Sequence, residues 1–497
     1  MQGLGTVNLH PLNQDKTFRF VDTTLRDGHL SLWASSMTTG MILPIAERLD
    51  RAGFEAIEII SGAQIKKFIR ELKDDPFERL RLTAARTPNT PLRATGSRIN
   101  TFGLDPKCMY RLYMDLLVAN GVRQIRLSDP WNSYEGLQRR VRDASNAGLE
   151  PVVNLIYSVS PRHTDDYYLE RIRQIATLPA HRICFKDPGG LLTPERTRVL
   201  ASLVLANSNG IHVEFHTHCT TGLGPLCALE AIKAGIKTIN AAIPPLADGS
   251  SNPSVFNVAN NARAMGYTPL IDEEELRPVS NHFMNIAKRE GLPTGAPVAY
   301  DYSQYRHQIP GGMISNMAHQ LRLVGLEDRL PEALEETARV RAELAYPIMV
   351  TPLSQFVGSQ AAINIVVGER YKEVTDPVIN YALGRYGQEG ADEMDPNIKD
   401  KILSRSRTKE LKEWVRPDPS LEEMRRDYGG PGVSDEEVML RWITSVEEVA
   451  TIKSARPPKP YPSGRHPLVA ELGQLLVQAH MSRIEIQRPG FYLTLEK

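Results

Sequence analysis

The sequence predicts an α/β fold, a (β/α)8 TIM barrel followed by a mainly helical C-terminal domain. Short β-branched runs alternate with longer amphipathic stretches along the first half of the chain, and this alternation requires parallel strands joined by crossover helices. Eight such units in roughly 250 residues are typical of a barrel. The alternative, a doubly wound open sheet, is less favoured because no glycine-rich dinucleotide fingerprint follows the first strand.

The predicted barrel strands are apolar or β-branched runs. They are Phe18–Thr23, Ala56–Ile60, Leu92–Thr95, Gln124–Ser128, Pro151–Tyr157, Arg182–Phe185, His212–His218 and Thr238–Ile243. Helix-like segments between them include Leu43–Ala52, Met109–Asn120 and Pro225–Ala234. Gly53, Gly121 and Gly235 follow these three segments, and a glycine ends a helix in the left-handed conformation at little cost.

Helical patterns dominate the rest of the chain. They include Leu321–Leu344, Gln355–Val367 and Glu373–Tyr386. Residues 388–465 are polar enough that part of them is expected to be extended or flexible. The patterns predict four parts: an N-terminal extension at 1–16, the barrel at 17–272, a helical domain at 273–400, and a partly extended C-terminal extension at 401–497.

Composition excludes several classes of function. The 497 residues carry 59 basic and 59 acidic side chains, so no global field draws the chain to nucleic acid or to an anionic membrane. Four cysteines without a CxxC pair indicate a reducing compartment. With no signal-peptide pattern and no apolar stretch of membrane-spanning length, the sequence predicts a cytoplasmic protein without membrane insertion.

Four polar residues lie at or just after the carboxyl ends of three predicted strands, where the active site of a barrel lies. They are Asp27, Lys186, His216 and His218. Two histidines at positions i and i+2 of a strand share a face, and paired imidazoles bind Zn²⁺ or Mn²⁺. An HxH pair alone is also typical of hydrogen-bonded interior histidines, so Asp27, at the end of another strand, strengthens the metal interpretation.

Lys186 allows two interpretations. A lysine at this position is usually part of a rim salt bridge, here with Asp187, since an ammonium group has no lone pair for a metal. Burial lowers a lysine pKa, however, and a neutral amine can react with CO₂ to form a carbamate with oxygen donors. Spacing alone leaves both possibilities open.

Several motifs together resemble the carboxyltransferase component of biotin-dependent enzymes that act on oxo acids. The main ones are DTTLRDGHLSL, FKDPGGLLTPE and FHTHCTTGLG, supported by DPFERLR, SPRHTDDYYLE, HQIPGGMISN and VTPLSQFVGSQAAINIVVGERY. The resemblance covers about residues 17–400. The family includes pyruvate carboxylase, the oxaloacetate decarboxylase alpha subunit and the pyruvate-side subunit of transcarboxylase. It implies transfer of a carboxyl group between carboxybiotin and an enolisable carbonyl or oxo-acid acceptor.

The resemblance also implies a set of ligands. Asp27, His216 and His218 are expected to bind a divalent metal (Zn, Mn or Co), and Lys186, as a carbamate, to complete the metal shell and take part in catalysis. The metal is expected to stabilise negative charge that develops on the acceptor enolate.

Other residues are expected to contact the reactants. Arg93 matches the arginine that holds the substrate carboxylate in the family, and Arg26 is expected to bind substrate beside it. Ser250 stands where the family has a threonine that shuttles a proton between biotin and acceptor, and a serine hydroxyl both donates and accepts.

The departures from the family pattern concern the acceptor. Leu30 replaces a glutamine that contacts the substrate oxo group, Ile60 replaces a tryptophan, Lys66 replaces an aspartate, and Cys219 replaces the aspartate of HTHD. Leu30 and Lys66 are therefore predicted to line a pocket for an acceptor other than pyruvate. Drift within a pyruvate enzyme, or local misalignment near residue 60, is the alternative.

Partners follow from what the sequence lacks. There is no Met-Lys dipeptide of the kind that marks biotin attachment and no ATP-grasp-like region, so a separate biotin carboxyl carrier protein and a biotin carboxylase subunit are expected. The resemblance further implies a homodimer. Two rival functions are a carbon–carbon lyase or Claisen-type synthase similar to hydroxymethylglutaryl-CoA lyase or isopropylmalate synthase, and a non-catalytic scaffold of a carboxylase complex.

Overall fold

Eight parallel strands close into a barrel in this computed structural model, which describes residues 15–96, 99, 105–455, 461, 482–488 and 491–496. The strands are β1 (Thr17–Asp22), β2 (Ala56–Ser61), β3 (Leu92–Thr95), β4 (Val122–Leu127), β5 (Glu150–Ile156), β6 (Arg182–Asp187), β7 (Val213–Thr217) and β8 (Thr238–Ala241). Each strand pairs with the next, and β1 pairs with both β8 and β2, which closes the ring. The predicted fold class is confirmed.

Helices connect these strands. They are α1 (His29–Leu32), α2 (Thr39–Ile42), α3 (Ala46–Arg51), α4 (Ile65–Lys67), α5 (Pro76–Arg86), α6 (Lys107–Ala119), α7 (Tyr134–Asn146), α8 (Asp165–Ile175), α9 (Pro194–Ala206), α10 (Gly224–Ala234), α11 (Val255–Ala264) and α12 (Glu273–Glu290). Asp75 begins α5 by accepting the amide N–H groups of Phe77 and Glu78, as a capping carboxylate does. Gly235 ends α10 with φ +108°, as the sequence predicts.

The rest of the described chain is mainly helical. Its elements are α13 (Gln304–His307), α14 (Gly311–Leu323), α15 (Leu330–Glu343), α16 (Leu353–Val367), α17 (Asp376–Ala382), α18 (Gln388–Asp392), α19 (Pro396–Leu403), α20 (Ser406–Glu413), α21 (Leu421–Tyr428), α22 (Asp435–Ile443) and α23 (Val446–Lys453). A short strand, β9 (Thr268–Pro269), pairs with β1, and β10 (Arg483–Arg488) forms an antiparallel pair with β11 (Phe491–Glu496). No helix among the described residues has both the length and the apolar character needed to cross a bilayer.

One expectation about the helical part differs from the structure. The single helix predicted over Leu321–Leu344 is wrong: α14 and α15 are separate, because Gly325 adopts φ +72° and Pro331 begins a new helix. Most of 388–453 is helical, and the expectation that part of 388–465 is extended or flexible stays a prediction. The helices there are short and capped; Ser420, for example, accepts the amide N–H of Glu423 at the start of α21.

Two hydrophobic cores organise the molecule. The barrel core contains the strands, α12 and side chains from α21, α22 and α23, such as Met424 and Leu440. The second core is built mainly from 309–411, and the barrel side chain Trp131 packs into it. Helices α21–α23, which follow the second core in the chain, therefore pack against the barrel again. The domain boundaries predicted at residues 272 and 400 stay a prediction.

Candidate active site and metal centre

A cavity of about 650 Å³ lies at the carboxyl ends of the barrel strands. The barrel supplies most of its lining, and the helical region closes one side with Pro310, the segment Met349–Pro352, Ser354 and Gln355. Carboxyl ends of parallel strands converge at one rim, so residues distant in sequence meet there. We call this space the catalytic cavity.

Asp27, His216 and His218 meet at the catalytic cavity. The Asp27 Oδ2 atom lies 3.3 Å from Nε2 of His216 and 3.3 Å from Nε2 of His218. Two ligands at about 2.1 Å from one ion are about 3.0 to 3.4 Å apart in octahedral or tetrahedral geometry. The three side chains therefore fit a single divalent ion without rearrangement.

The surroundings of both histidines turn Nε2 towards Asp27. The Nδ1 atom of His218 lies 2.7 Å from the Ser250 carbonyl, a contact that fixes the ring orientation. In His216, Nδ1 lies 3.0 Å from Asn240 Oδ1 and 3.1 Å from Arg126 Nη1, and Nε2 lies 3.2 Å from Asn252 Nδ2. Burial lowers the pKa of His216 to about 3, so the ring is neutral, as metal ligation requires.

Asp27 is an ionised carboxylate whose Oδ2 atom faces both histidines. Burial opposes its ionisation, but the Arg26 guanidinium and His218 hold the pKa of Asp27 well below its usual value. The Oδ2 atom is buried and lies 2.9 Å from Arg26 Nη2, although it accepts no well-aligned hydrogen bond from any described residue. A buried anionic oxygen needs positive charge close to it; Arg26 supplies one such charge, and a metal ion between Asp27 and the two histidines would add a second.

Lys186 lies on β6 beside His216 of β7 and lines the catalytic cavity. Burial, together with the nearby Arg26, lowers the pKa of Lys186 to about 8. The rim salt bridge with Asp187 is not what the structure shows, because the Asp187 carboxylate accepts the N–H groups of Leu191 and Leu192 and the hydroxyl of Thr217. An accessible amine with a lowered pKa matches the carbamate interpretation.

Beneath Asp27, His216 and His218 is a layer of paired charges, which we call the ionic layer: Glu58, Arg93, Arg126 and Glu214. All four side chains are fully buried. Arg93 binds both Glu214 oxygens, at 2.7 and 3.0 Å, and Arg126 bridges Glu58 at 2.6 Å and Glu214 at 2.9 Å. Burial alone raises a carboxyl pKa, but Arg126, Arg26 and Arg93 together lower the pKa of Glu58 to about 2.

The ionic layer changes the expected role of Arg93. Its Nε and Nη2 atoms also donate to Gln124 Oε1, at 3.0 and 2.9 Å, and its side chain does not line the catalytic cavity. The structure therefore does not bring Arg93 to a substrate carboxylate, because Glu214 and Gln124 already saturate the guanidinium. Arg26 does line the cavity, with Nε 2.9 Å from Glu58 and Nη2 2.9 Å from Asp27.

Only some of the residues predicted to lie near the acceptor line the catalytic cavity. Leu30 lines the catalytic cavity and is 40% exposed, whereas Ile60 is buried in the barrel core. The lining contains Lys67 and not the predicted Lys66; neighbouring residues of a helical turn face different directions. Ser250 lines the cavity, and its hydroxyl donates to the Ser31 carbonyl at 3.0 Å.

Cys219 is a packed interior residue. It is 2% exposed and lies outside the cavity lining, and burial raises the pKa of its thiol well above the usual value. Its Sγ atom is 3.9 Å from Asp248 Oδ1. Neither a nucleophile nor a further metal ligand fits this environment, because the reactive form of a cysteine is the thiolate.

Sequence reasoning missed residues that shape the site. Glu58, Arg126 and Glu214 were not singled out, although each is a charged residue within an otherwise apolar strand run, and that is a signal of interior pairing. Arg140 and Lys67, two cations of the cavity lining, carry no comparable signal because they lie on polar helical segments.

Comparisons with known proteins identify the family. Residues 305–443 match the model of the conserved carboxylase domain. A pyruvate carboxylase subunit of Methanocaldococcus jannaschii is 35% identical over 395 residues, which is 78% of this chain and 68% of that protein. The chain belongs to the carboxyltransferase subunits of biotin-dependent carboxylases. It is thus an enzyme of the pyruvate carboxylase type, as the motifs predict, and neither a lyase nor a scaffold.

Two further similarities support the assignment. The 2-oxoglutarate carboxylase large subunit of Hydrogenobacter thermophilus is 32% identical, covering 75% of this chain and 58% of that protein. The solved carboxyl transferase domain of Rhizobium etli pyruvate carboxylase, in a structure with pyruvate and biocytin, superposes with a TM-score of 0.79 at 23% identity. That match covers 92% of this chain and 81% of the other and shows the shared fold. Members of this family depend on biotin and a metal.

Proposed function

We propose that Asp27, His216 and His218 bind the divalent metal of a carboxyltransferase and that Lys186 completes the site as a carbamate. The observation that carries the proposal is the convergence of two imidazole nitrogens on one buried carboxylate oxygen, each 3.3 Å away. Nitrogen and oxygen donors with this spacing suit Zn, Mn or Co. When bound, the metal supplies a Lewis acid that stabilises negative charge on the acceptor oxygen.

The chain's own residues perform the proton transfer and the positioning. Ser250 lies beside the proposed metal ligands, since its carbonyl is 2.7 Å from His218 Nδ1; the residue lines the catalytic cavity, and its hydroxyl is held by the Ser31 carbonyl. We assign to this hydroxyl the transfer of the proton lost from the acceptor carbon to the ring nitrogen of biotin, as the carboxyl group leaves that nitrogen for the carbon. Arg26 contributes a fixed positive charge, held in place by Glu58.

The acceptor we propose is an oxo acid or another enolisable carbonyl compound larger than pyruvate. Leu30 presents an apolar surface in the cavity where a polar amide was expected from the family pattern. The cationic side chains of Lys67 and Arg140 also line this space, and they suit an acceptor with a second anionic group. A relative named for 2-oxoglutarate supports the same class.

The partners we propose are a biotin carboxyl carrier protein and a biotin carboxylase, each a separate chain. One relative is named as a single subunit of pyruvate carboxylase, and this name supports a divided enzyme. A homodimer is expected from the family resemblance. Residues of the helical region that close the catalytic cavity, such as Met349 and Thr351, exclude water around the reacting groups.

A reconstituted carboxylation assay tests which acceptor the enzyme uses. It contains the cognate carrier, the biotin carboxylase, ATP and radiolabelled bicarbonate. Fixed label is measured with pyruvate, 2-oxoglutarate and longer 2-oxo acids. We expect an acceptor with a second anionic group to give the highest kcat/KM. A Lys67→Ala variant should lose this preference, while Arg173→Ala, a remote charge removal, should keep it. Preference for pyruvate over every larger acid contradicts the acceptor proposal.

Metal analysis tests the ligands separately. One ion per chain is expected in the wild-type protein and none in His216→Ala or His218→Ala. Native mass spectrometry should show the mass of one carbamate, and Lys186→Ala should remove it. Wild-type protein purified without an equivalent of metal, and still active with a chelator present, would contradict the assignment.

A further inference from the structure

A second cavity, of about 580 Å³, lies where helices α6 and α7 meet two arginines of the helical region, Arg385 and Arg416. Its lining contains seven basic side chains and two acidic ones, Asp105 and Asp143. We call it the arginine cavity. A concave surface lined by charges of one sign concentrates the potential and attracts multivalent anions.

Part of this lining is held in place by the protein. Arg385 donates from Nη1 to Asn380 Oδ1 at 2.7 Å and from Nη2 to the Trp414 carbonyl at 2.9 Å. Arg416 donates from Nη2 to the Asp105 carbonyl. These bonds orient two guanidinium groups without neutralising them, since neutral carbonyl and amide oxygens carry no countercharge.

The remaining arginines form no ion pair in the part of the chain that the structure describes, although Asp105 and Asp143 share the lining with them. Arg111 on α6 and Arg139 and Arg142 on α7 form no ion pair there, and Arg140 donates only to the Ser128 carbonyl. Elsewhere, exposed arginines of this protein commonly have acidic partners, as Arg407 does with Asp376 at 2.7 Å. Crowding like charges without partners is unfavourable unless an anion neutralises them.

We propose that the arginine cavity binds a small molecule that carries a pyrophosphate group. The planar guanidinium group matches phosphate oxygens in bidentate geometry, and the volume is that of a small-molecule site. Tyr110 is the one aromatic residue of the described lining, so charge rather than ring stacking provides recognition. Nucleotides and coenzyme A thioesters share this pyrophosphate chemistry.

Arg140 connects this site with the reaction. It lines both the arginine cavity and the catalytic cavity. A pyrophosphate that binds Arg140 in the first cavity therefore shifts the position of a cationic side chain in the wall of the second and lowers the positive potential there. Binding of the pyrophosphate compound in the arginine cavity is therefore expected to affect acceptor binding in the catalytic cavity through Arg140.

Titration calorimetry with inorganic pyrophosphate tests the proposal on the full-length His216→Ala variant, so that metal in the catalytic cavity cannot bind the probe. We expect binding well above that of sulfate at equal ionic strength. Adding Arg139→Ala and Arg142→Ala should weaken it tenfold or more. Adding Arg173→Ala, which removes an exposed arginine of α8 that contacts Asn207, should leave it unchanged.

Parallel titrations with ADP and with coenzyme A identify the source of the pyrophosphate, and tighter binding of either one supports the proposal. It is overturned if pyrophosphate binds no better than sulfate, or if Arg173→Ala weakens binding as much as the paired substitution. Because the probe is measured by heat in a variant without the proposed metal site, failure here leaves the proposed carboxyl transfer untouched.

Discussion

The barrel interior contains two groups of buried polar side chains in different surroundings. In the ionic layer, Arg93 and Arg126 are neutralised by Glu58 and Glu214, and none of these four side chains lines the catalytic cavity. In the group of Asp27, His216 and His218, which we call the ligand cluster, Asp27 and His218 do line that cavity. Charges that the protein encloses and pairs stabilise the barrel, whereas polar groups at the cavity surface are available to a bound ion.

The largest effect is expected from removing one member of the ionic layer. Glu214→Ala leaves Arg93 and Arg126 buried with too little countercharge, and such a loss costs about 3–5 kcal/mol. Urea denaturation should show this decrease in the free energy of unfolding. The matched control is Glu332→Ala, which removes an exposed ion pair with Arg329 and should cost at most about 1 kcal/mol. Equal effects would show that the buried pairs of the ionic layer contribute no more to stability than an exposed ion pair.

Lys186→Ala is expected to affect catalysis rather than folding. Loss of the fourth ligand should lower kcat by roughly 10²- to 10³-fold, the range seen when one stabilising group is removed from an active site. The free energy of unfolding should not fall, because a desolvated cation is removed. Steady-state kinetics and urea denaturation measure the two quantities. If Lys186→Ala lowers the free energy of unfolding but leaves kcat unchanged, Lys186 stabilises the fold and does not take part in catalysis.

Removal of the metal should destabilise the wild-type protein moderately. A ligand that binds only the folded state, at about 100 times its Kd, contributes about 2.7 kcal/mol. Adding a chelator should therefore lower the unfolding free energy of wild type by about that amount and leave His218→Ala unchanged. A chelator that destabilises both proteins equally would argue against an ion at this cluster.

Acid should weaken the ionic layer through Glu58. Its pKa falls from 4.5 in the unfolded chain to about 2 in the folded protein. The stabilisation is therefore complete well above pH 4.5 and is lost as pH decreases from there towards 2. By pH 4 the loss from this group is about 1 kcal/mol. Urea denaturation between pH 7 and pH 4 should show a smaller decrease for Glu58→Gln, and identical slopes would contradict this.

The smallest effect on stability is expected at the cavity wall. Leu30→Gln changes a partly exposed side chain, so the unfolding free energy should shift by less than about 0.5 kcal/mol. The ratio of kcat/KM values for pyruvate and a larger oxo acid should nevertheless move towards pyruvate. An unchanged ratio would show that Leu30 does not select the acceptor.

The local sequence predicts the barrel and the ligand cluster because both depend on short-range patterns. Strand and helix periods reveal the eight units, and the i, i+2 spacing places His216 and His218 on one face. Asp27 and Lys186 follow from the rule that strand ends share one rim. Spacing alone supports His216, His218 and Asp27 as metal ligands, whereas the ligand role of Lys186 came only from the family resemblance; all four roles remain proposals.

Only the tertiary structure decided which charges meet. Arg93 has the residue type and strand position expected of a substrate contact, yet Glu214, 121 residues away, pairs with it across the barrel. The sequence likewise did not predict that Met349 and its neighbours form part of the cavity wall. Nor did it predict that α21–α23 pack against the barrel core. Periodicity determines the face of an element that a side chain occupies, but its partner across the interior depends on how all eight strands are placed together.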